Sequence, residues 1–227
     1  MVEEFEKKIA ESVHRIMESL PPEVTLVAAV KGRSVAEVRA AIEAGVTHVG
    51  HNYIQEAELM VDLMRDSAKW HMIGHLQRNK AKKAVRLFDK VETVDSWHLA
   101  RELDKRCARM AKTMPVLIEV NSGREASKTG VMPEDVEGLV WHMRELEHLR
   151  VQGLMTMGPR FGDPEHARPF FQETRKAFDR LARMDLPHVS MHYLSMGMTN
   201  SYRVAIEEGA NVVRIGTKIF GQRGSEG

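Results

Sequence analysis

Apolar residues along this chain come in two rhythms, short unbroken runs and stripes at three- and four-residue spacing, and the two alternate from end to end. Phe5, Ile9, Val13, Ile16, Met17 and Leu20 make the first stripe, set among charges and stopped by Pro21-Pro22, which predicts an amphipathic helix over residues 1–22. Val24 to Val30 is nearly continuous apolar sequence, short enough for a buried strand, and it ends on Lys31-Gly32. A stripe through Val35, Val38, Ala41 and Ile42, closed by Gly45, predicts a helix, and Thr47–Gly50 a second strand. The pattern continues with a helix over Tyr53–Met64, a strand at Trp70–Ile73, a helix over Asn79–Leu87 and a strand at Lys90–Val94. Trp97, Ala100, Leu103, Cys107 and Met110 stripe the next helix, and Pro115–Val120 reads as a strand. Pro133 suits the first turn of a helix running to Glu147. Val151–Met155 is a further strand, and Phe170, Thr174, Ala177, Leu181 and Met184 stripe a long helix. His188–Leu194 and Asn211–Ile215 are strands seven and eight, with a helix over Tyr202–Glu208 between them.

Eight strands alternating with eight helices, without a long linker, predict an α/β chain folded as one (β/α)₈ TIM barrel over residues 1–227. The extra N-terminal helix is expected to lid one barrel end, and residues 222–227 to form a flexible tail. At 227 residues and 43% hydrophobic, the chain can bury a core of that size.

Charge and cysteine content narrow the partners. Lys+Arg and Asp+Glu nearly cancel, to +1, so no overall field argues for nucleic acid or an anionic membrane. The basic cluster from Arg78 to Lys83 reads as a solvated helix start. The single cysteine, Cys107, lies on a helix stripe, rules out an internal disulfide and fits a reducing cytoplasm. No apolar run approaches the length of a membrane span, and the charged start Val2-Glu-Glu-Phe-Glu-Lys-Lys is unlike a signal peptide. A cytoplasmic monomer is expected. His48 and His51, three apart on a strand, would face opposite ways, so no metal site is expected, and His71 and His75 read as core and rim residues.

Candidate chemistry gathers at one end of the predicted barrel. Ligands of such folds sit beyond the carboxyl ends of the strands, where Lys31 lies, and a phosphate is commonly held by the loops after strands seven and eight. Those loops read Ser195-Met-Gly197-Met198-Thr199 and Gly216-Thr217. Their glycines let the backbone approach an anion, and Ser195 and Thr217 offer hydroxyls beside helix starts; either loop alone is equally well ordinary turn chemistry. Strand one neighbours strand eight in a closed barrel, so Lys31 and these loops converge. A lysine there can pair its charge with a phosphate or form a Schiff base, for which only about one lysine in 2,500 is neutral at pH 7 unless its surroundings help. Arg214, inside the apolar run Val212–Ile215, is a suitable neighbour and itself needs a buried partner or a ligand. Glu119, at a strand end, reads as a structural pair with Lys128 or Lys31.

These residues fall in blocks that resemble the pyridoxal phosphate homeostasis proteins, the YggS/PROSC group, which are related to the N-terminal barrel of alanine racemase. The blocks are Leu26–Lys31, Gly50–Glu56, Trp70–Lys80, Glu119–Asn121 with Lys128–Gly130, Gly153–Met155, Leu194–Met198, and Val213–Thr217 with Ile219–Gly221. Their order and spacing carry the resemblance across roughly Leu26 to Gly221. It implies that Lys31 carries pyridoxal 5′-phosphate as a covalent aldimine. Ser195, Gly216 and Thr217 would hold the phosphate, with Gly197 and Met198 in the same cofactor-binding set. Arg214 would face the pyridine nitrogen, and Asn52 would lie near the ring.

Three departures stand out: Val30 where the family often has serine, His51 where an acid usually precedes Asn52, and Thr199-Asn200-Ser201 where Ser-x-Asp is usual. The implied function is to hold pyridoxal phosphate in intracellular vitamin B6 homeostasis without turnover. Pyridoxal-phosphate-dependent apo-enzymes are the candidate receivers. The alternative is an amino-acid racemase or Schiff-base lyase on the same barrel. Against it, an arginine opposite the pyridine nitrogen makes a poor electron sink. Racemisation also needs a second acid/base, which alanine racemase supplies from a further domain. A phosphosugar isomerase would use the same phosphate loops and leave the pairing of Lys31 with Arg214 unexplained.

Overall fold

The computed structural model describes residues 2–125, 128–159 and 162–222, so the expected tail lies outside the described residues except for Gln222. In chain order the elements are α1 (Val2–Glu18), β1 (Thr25–Ala29), α2 (Val35–Glu43), β2 (His48–His51), α3 (Ile54–Met64), β3 (Lys69–Met72), α4 (Ala81–Leu87), β4 (Lys90–Val94) and α5 (Trp97–Arg109). They continue as β5 (Met114–Val120), α6 (Val136–Met143), β6 (Leu149–Thr156), α7 (Arg168–Leu181), β7 (Val189–Met198), α8 (Tyr202–Glu207), β8 (Val212–Ile215) and α9 (Thr217–Phe220). All eight strands are parallel and close in sequence order, with β8 pairing back onto β1. This is the (β/α)₈ barrel that the alternation predicted. Among the described residues no helix is long and apolar enough to cross a membrane.

Two layers follow from strand alternation, in which successive side chains point to opposite faces. One set faces the helices and builds the main core, where Trp70, Phe88, Leu103, Leu149 and Phe171 are fully buried. The other set faces inward, where Val27, Ile73 and Val212 make a small apolar cluster. Beside it the interior is polar, holding His71, Glu92, Ser195 and Arg214, all buried.

Three expectations are corrected. The N-terminal helix does not lid a barrel end: α1 packs against α2 and α9 in the outer layer and buries Ile9, Val13 and Ile16. The physical reason is that α9 is a single turn, too short to cover its sector, and α1 supplies the missing apolar face. The helix expected from Pro133 starts at Val136, because Pro133 lies within a turn closed by Asp135 N–H donating to Met132 O at 2.9 Å. It ends at Met143, where Glu145 and Leu146 donate to the carbonyls three residues back. Finally, β7 runs on to Met198, so Ser195-Met-Gly197-Met198 is strand, with Met155 and Val212 opposite Ser195.

His51 ends β2 facing the outer layer, fully buried and stacked on Trp70 with ring centroids 5.7 Å apart. Neither ring nitrogen has a hydrogen-bond partner, and burial pushes the imidazole down to about 4. Because the folded chain holds this group neutral while the unfolded chain takes a proton near pH 6.5, the linked stability is complete above pH 6.5 and is lost as pH falls toward 4. His51→Leu, close in volume and without nitrogens to desolvate, should therefore raise unfolding stability at pH 7 by about 1–3 kcal/mol. It should also flatten the fall in stability between pH 6.5 and 4. Urea unfolding at stepped pH measures both, and a variant with the parent's stability and slope would contradict this reading.

Candidate functional site

Lys31 lies just past β1 in a two-residue turn with Gly32, at the carboxyl end of the barrel. The turn is held by Gly32 N–H donating to Glu56 Oε2 at 3.2 Å, and Val30 N–H donates to Gly50 O. The Lys31 ammonium is 4.9 Å from the centroid of the Tyr53 ring and has no carboxylate within ion-pair distance among the described residues. Asn52, half-buried between β2 and α3, lies one strand over, and together with Tyr53, His75, Gln77 and Lys80 it lines a cleft of about 370 Å³.

On the other side of β1, Gly216 follows β8. A Cβ at this position would stand 2.9 Å from Ala29 O, so only glycine lets the β8 turn press against the strand that delivers Lys31. Thr217 comes next, exposed, with no hydrogen bond from its hydroxyl among the described residues. Gly197 has φ +87°, and a Cβ there would meet Ala205 Cβ at 2.6 Å and Tyr202 Cα at 2.8 Å, which is how β7 turns tightly into α8. Met198 stands opposite Arg214 in the strand register, and its N–H donates to Ser201 Oγ at 3.4 Å. The unusual Ser201 thus caps the end of β7. Lys31, Asn52, Gly197, Met198, Gly216 and Thr217 are gathered at the carboxyl ends of β7, β8, β1 and β2, four consecutive strands of the ring.

Arg214 and Ser195 sit deeper. Arg214 is 4% exposed and pairs in register with Val27. Its Nη1 donates to Ser195 O at 2.9 Å and to Ser195 Oγ at 2.6 Å, and its Nη2 to Thr156 O at 2.8 Å. Burial works against the guanidinium charge, and the carboxylates of Glu92 and Glu119 support it. Ser195 Oγ donates to Glu92 Oε2 at 2.7 Å. Strands β4 and β7 are not neighbours in the ring, so this bond crosses the barrel interior.

Sequence reasoning had no role for Glu92, although a charged residue in the buried run Val91-Glu-Thr-Val94 raises the same question as Arg214. Glu92 is fully buried, and its Oε1 lies 2.6 Å from His71 Nδ1, whose Nε2 lies 2.9 Å from His48 Nδ1. Burial alone would raise the carboxyl, but His71, Arg214 and Ser195 outweigh it and hold it at about 2. His48 is pushed down to about 4, by burial first and then by His71 and Lys90. Glu119 is the other correction. It pairs with neither Lys128 nor Lys31: its Oε1 accepts from Thr129 Oγ1 at 3.0 Å, and its buried Oε2 has no partner. Burial raises its carboxyl. Cys107 is buried packing, its thiol pushed up to about 11. No group of three His, Cys, Asp or Glu side chains capable of holding a metal occurs among the described residues.

This arrangement is a barrel of the alanine racemase N-terminal type, and the family model "Alanine racemase, N-terminal domain" matches residues 6–224. An alanine racemase of Clostridium difficile shares the fold at TM-score 0.79 and 13% identity, over 97% of this chain and 57% of that one. The chain belongs to the pyridoxal phosphate homeostasis protein family. The pyridoxal phosphate homeostasis protein of Aquifex aeolicus is 40% identical over 187 residues, 82% of this chain and 81% of that protein. The structure of PipY from Synechococcus elongatus with pyridoxal phosphate bound matches at TM-score 0.85 and 32% identity, over 94% of this chain and all of PipY.

Proposed function

We propose that this protein binds pyridoxal 5′-phosphate at the carboxyl end of the barrel and serves intracellular vitamin B6 homeostasis as a carrier, without turnover. The observation that carries the reading is that Lys31, free of any ion pair with the described residues, directly follows the strand whose Ala29 O the Gly216-Thr217 segment is pressed against. Lys31 would take the cofactor's aldehyde in a covalent link with loss of water. Thr217 and the backbone of Gly216, with Gly197 and Met198 beside them, would hold the phosphate, and Asn52 would lie beside the ring. Bound pyridoxal phosphate supplies an electrophilic aldehyde on an electron-withdrawing ring.

Arg214 is the residue that argues for carriage over turnover. A guanidinium donates hydrogen bonds but does not give up a proton in a protein, so a ring nitrogen facing it stays unprotonated and withdraws electrons weakly. The names of the relatives support the same role. The proposed setting is the cytoplasm, and the proposed receivers are apo-enzymes that need the cofactor.

The test separates phosphate from ring. Thr217→Val should weaken pyridoxal phosphate by about 1–3 kcal/mol, the range for a lost hydrogen bond to a charged group, and leave pyridoxal, which has no phosphate, unchanged. Equilibrium titrations of both ligands decide it; equal losses would take the phosphate away from this turn.

A further inference from the structure

We propose that Glu92 and Ser195 are positioning residues for Arg214, and that Ser195 is not a phosphate ligand. The inference rests on the reading above that Arg214 faces the ring nitrogen of a bound pyridoxal group. It follows from counting protons in the barrel interior. Arg214 carries five N–H groups and cannot accept a hydrogen bond. Three are committed, to Ser195 O, Ser195 Oγ and Thr156 O. Since the guanidinium donates to Ser195 Oγ, the one proton of that hydroxyl points elsewhere, and Glu92 Oε2 receives it at 2.7 Å. Nothing remains for Ser195 to give a phosphate, and the residue is fully buried.

Glu92 cannot swing away from this duty. Its second oxygen is held 2.6 Å from His71 Nδ1, and His71 is held in turn by His48 at 2.9 Å. The guanidinium is therefore fixed by three strands at once, β4 through the Ser195 hydroxyl, β6 through Thr156 O and β7 through Ser195 O. Its Nε–H and the second Nη2 proton have no partner among the described residues and are left for a ligand. A buried cation needs a counter-charge and satisfied donors to keep one geometry, and Glu92 supplies the first through a single bridging hydroxyl. Among the phosphate residues implied by resemblance, only Thr217 keeps an uncommitted hydroxyl at the rim.

Glu92→Gln keeps the shape and, through its carbonyl oxygen, an acceptor for Ser195, while it removes the charge and turns an amide NH2 toward His71 Nδ1; Ser195→Ala keeps the charge and removes the bridge. Both should weaken pyridoxal phosphate and pyridoxal alike, by about tenfold, the loss expected for one charge-assisted contact. Both should also move the pH at which the visible band of the bound ligand titrates. A merely structural role would lower the melting temperature and leave that titration in place. Loss of pyridoxal phosphate binding alone in Ser195→Ala would return the residue to the phosphate site and overturn the proposal. Parental binding of both ligands with an unchanged titration in Glu92→Gln would overturn it equally. Should Glu92→Gln fail to fold, Ser195→Ala, which removes one oxygen, decides. If the parent itself shows no visible band and no borohydride-fixed ligand, it is the underlying binding function that fails, a result distinct from either outcome in the variants.

Discussion

Lys31→Ala is expected to fold and melt like the parent yet to lose the visible absorption of covalently held pyridoxal phosphate. Both halves follow from where the side chain stands. Lys31 is partly exposed in a turn beyond β1, and its contact with the described residues is the Tyr53 ring, 4.9 Å from the ammonium. Such an exposed cation–π contact is worth about 0.5–1 kcal/mol, and its removal leaves no buried group without a partner. The proposed covalent link would lose its nucleophile, and the other lysines are placed differently: Lys80 lines the Asn52 cleft from beyond β3. Lys128 lies 4.0 Å from Glu125, and Lys218 lies 4.7 Å from the Tyr202 ring. The Gly216-Thr217 segment proposed to hold the phosphate stays intact in the variant, so weak non-covalent binding should persist by equilibrium dialysis. A visible band of parental intensity in Lys31→Ala would place the attachment on another lysine.

Arg214→Leu should be the most destabilising single change at the site, by about 3–5 kcal/mol, because it strips the cation from a buried network and leaves charge behind. Glu92 and Ser195 would remain fully buried, with the carbonyls of Ser195 and Thr156 losing their donors at the same time. The effect should depend on pH in a definite direction. In the parent, Glu92 is held at about 2, so its contribution is complete above the ordinary carboxyl range and is lost only as pH falls through it. Without Arg214 the carboxylate takes a proton more readily, and the folded variant gains stability relative to its unfolded chain as pH drops from 7 toward 4. The gap between variant and parent should therefore narrow over that interval in urea titrations. A gap of under 1 kcal/mol at pH 7 would mean that the interior tolerates Glu92 without its cation.

The elements that were readable in the sequence share a property: their signal is local. Strands such as Val24–Val30 announced themselves as apolar runs and helices such as the one through Leu103 and Cys107 as stripes, and Lys31, Gly216 and Arg214 stood out against such runs. What was misread depended on partners distant in the chain. Ser195 and Gly197 look like turn residues by type, and they extend β7 because the barrel interior offers Ser195 a carboxylate from β4, 103 residues away in sequence. Glu92 carried the same warning as Arg214, a charge in a buried run, and asking which buried carboxylate answers which buried arginine would have paired them. The packing of α1 could not be read from its own stripe, which shows only that one face is apolar. Its place followed from the shortness of α9. The unpartnered oxygen of Glu119 was equally hidden, since the nearby lysines of the sequence suggested ion pairs that the fold does not make.

The most direct measurement is borohydride reduction of the purified protein loaded with pyridoxal phosphate, followed by proteolysis and mass mapping of the modified peptide. One phosphopyridoxyl group per chain is expected, on Lys31, with the visible band bleached in proportion to the label. Label confined to Lys128, Lys218 or another lysine, or no label at saturating ligand, would contradict it.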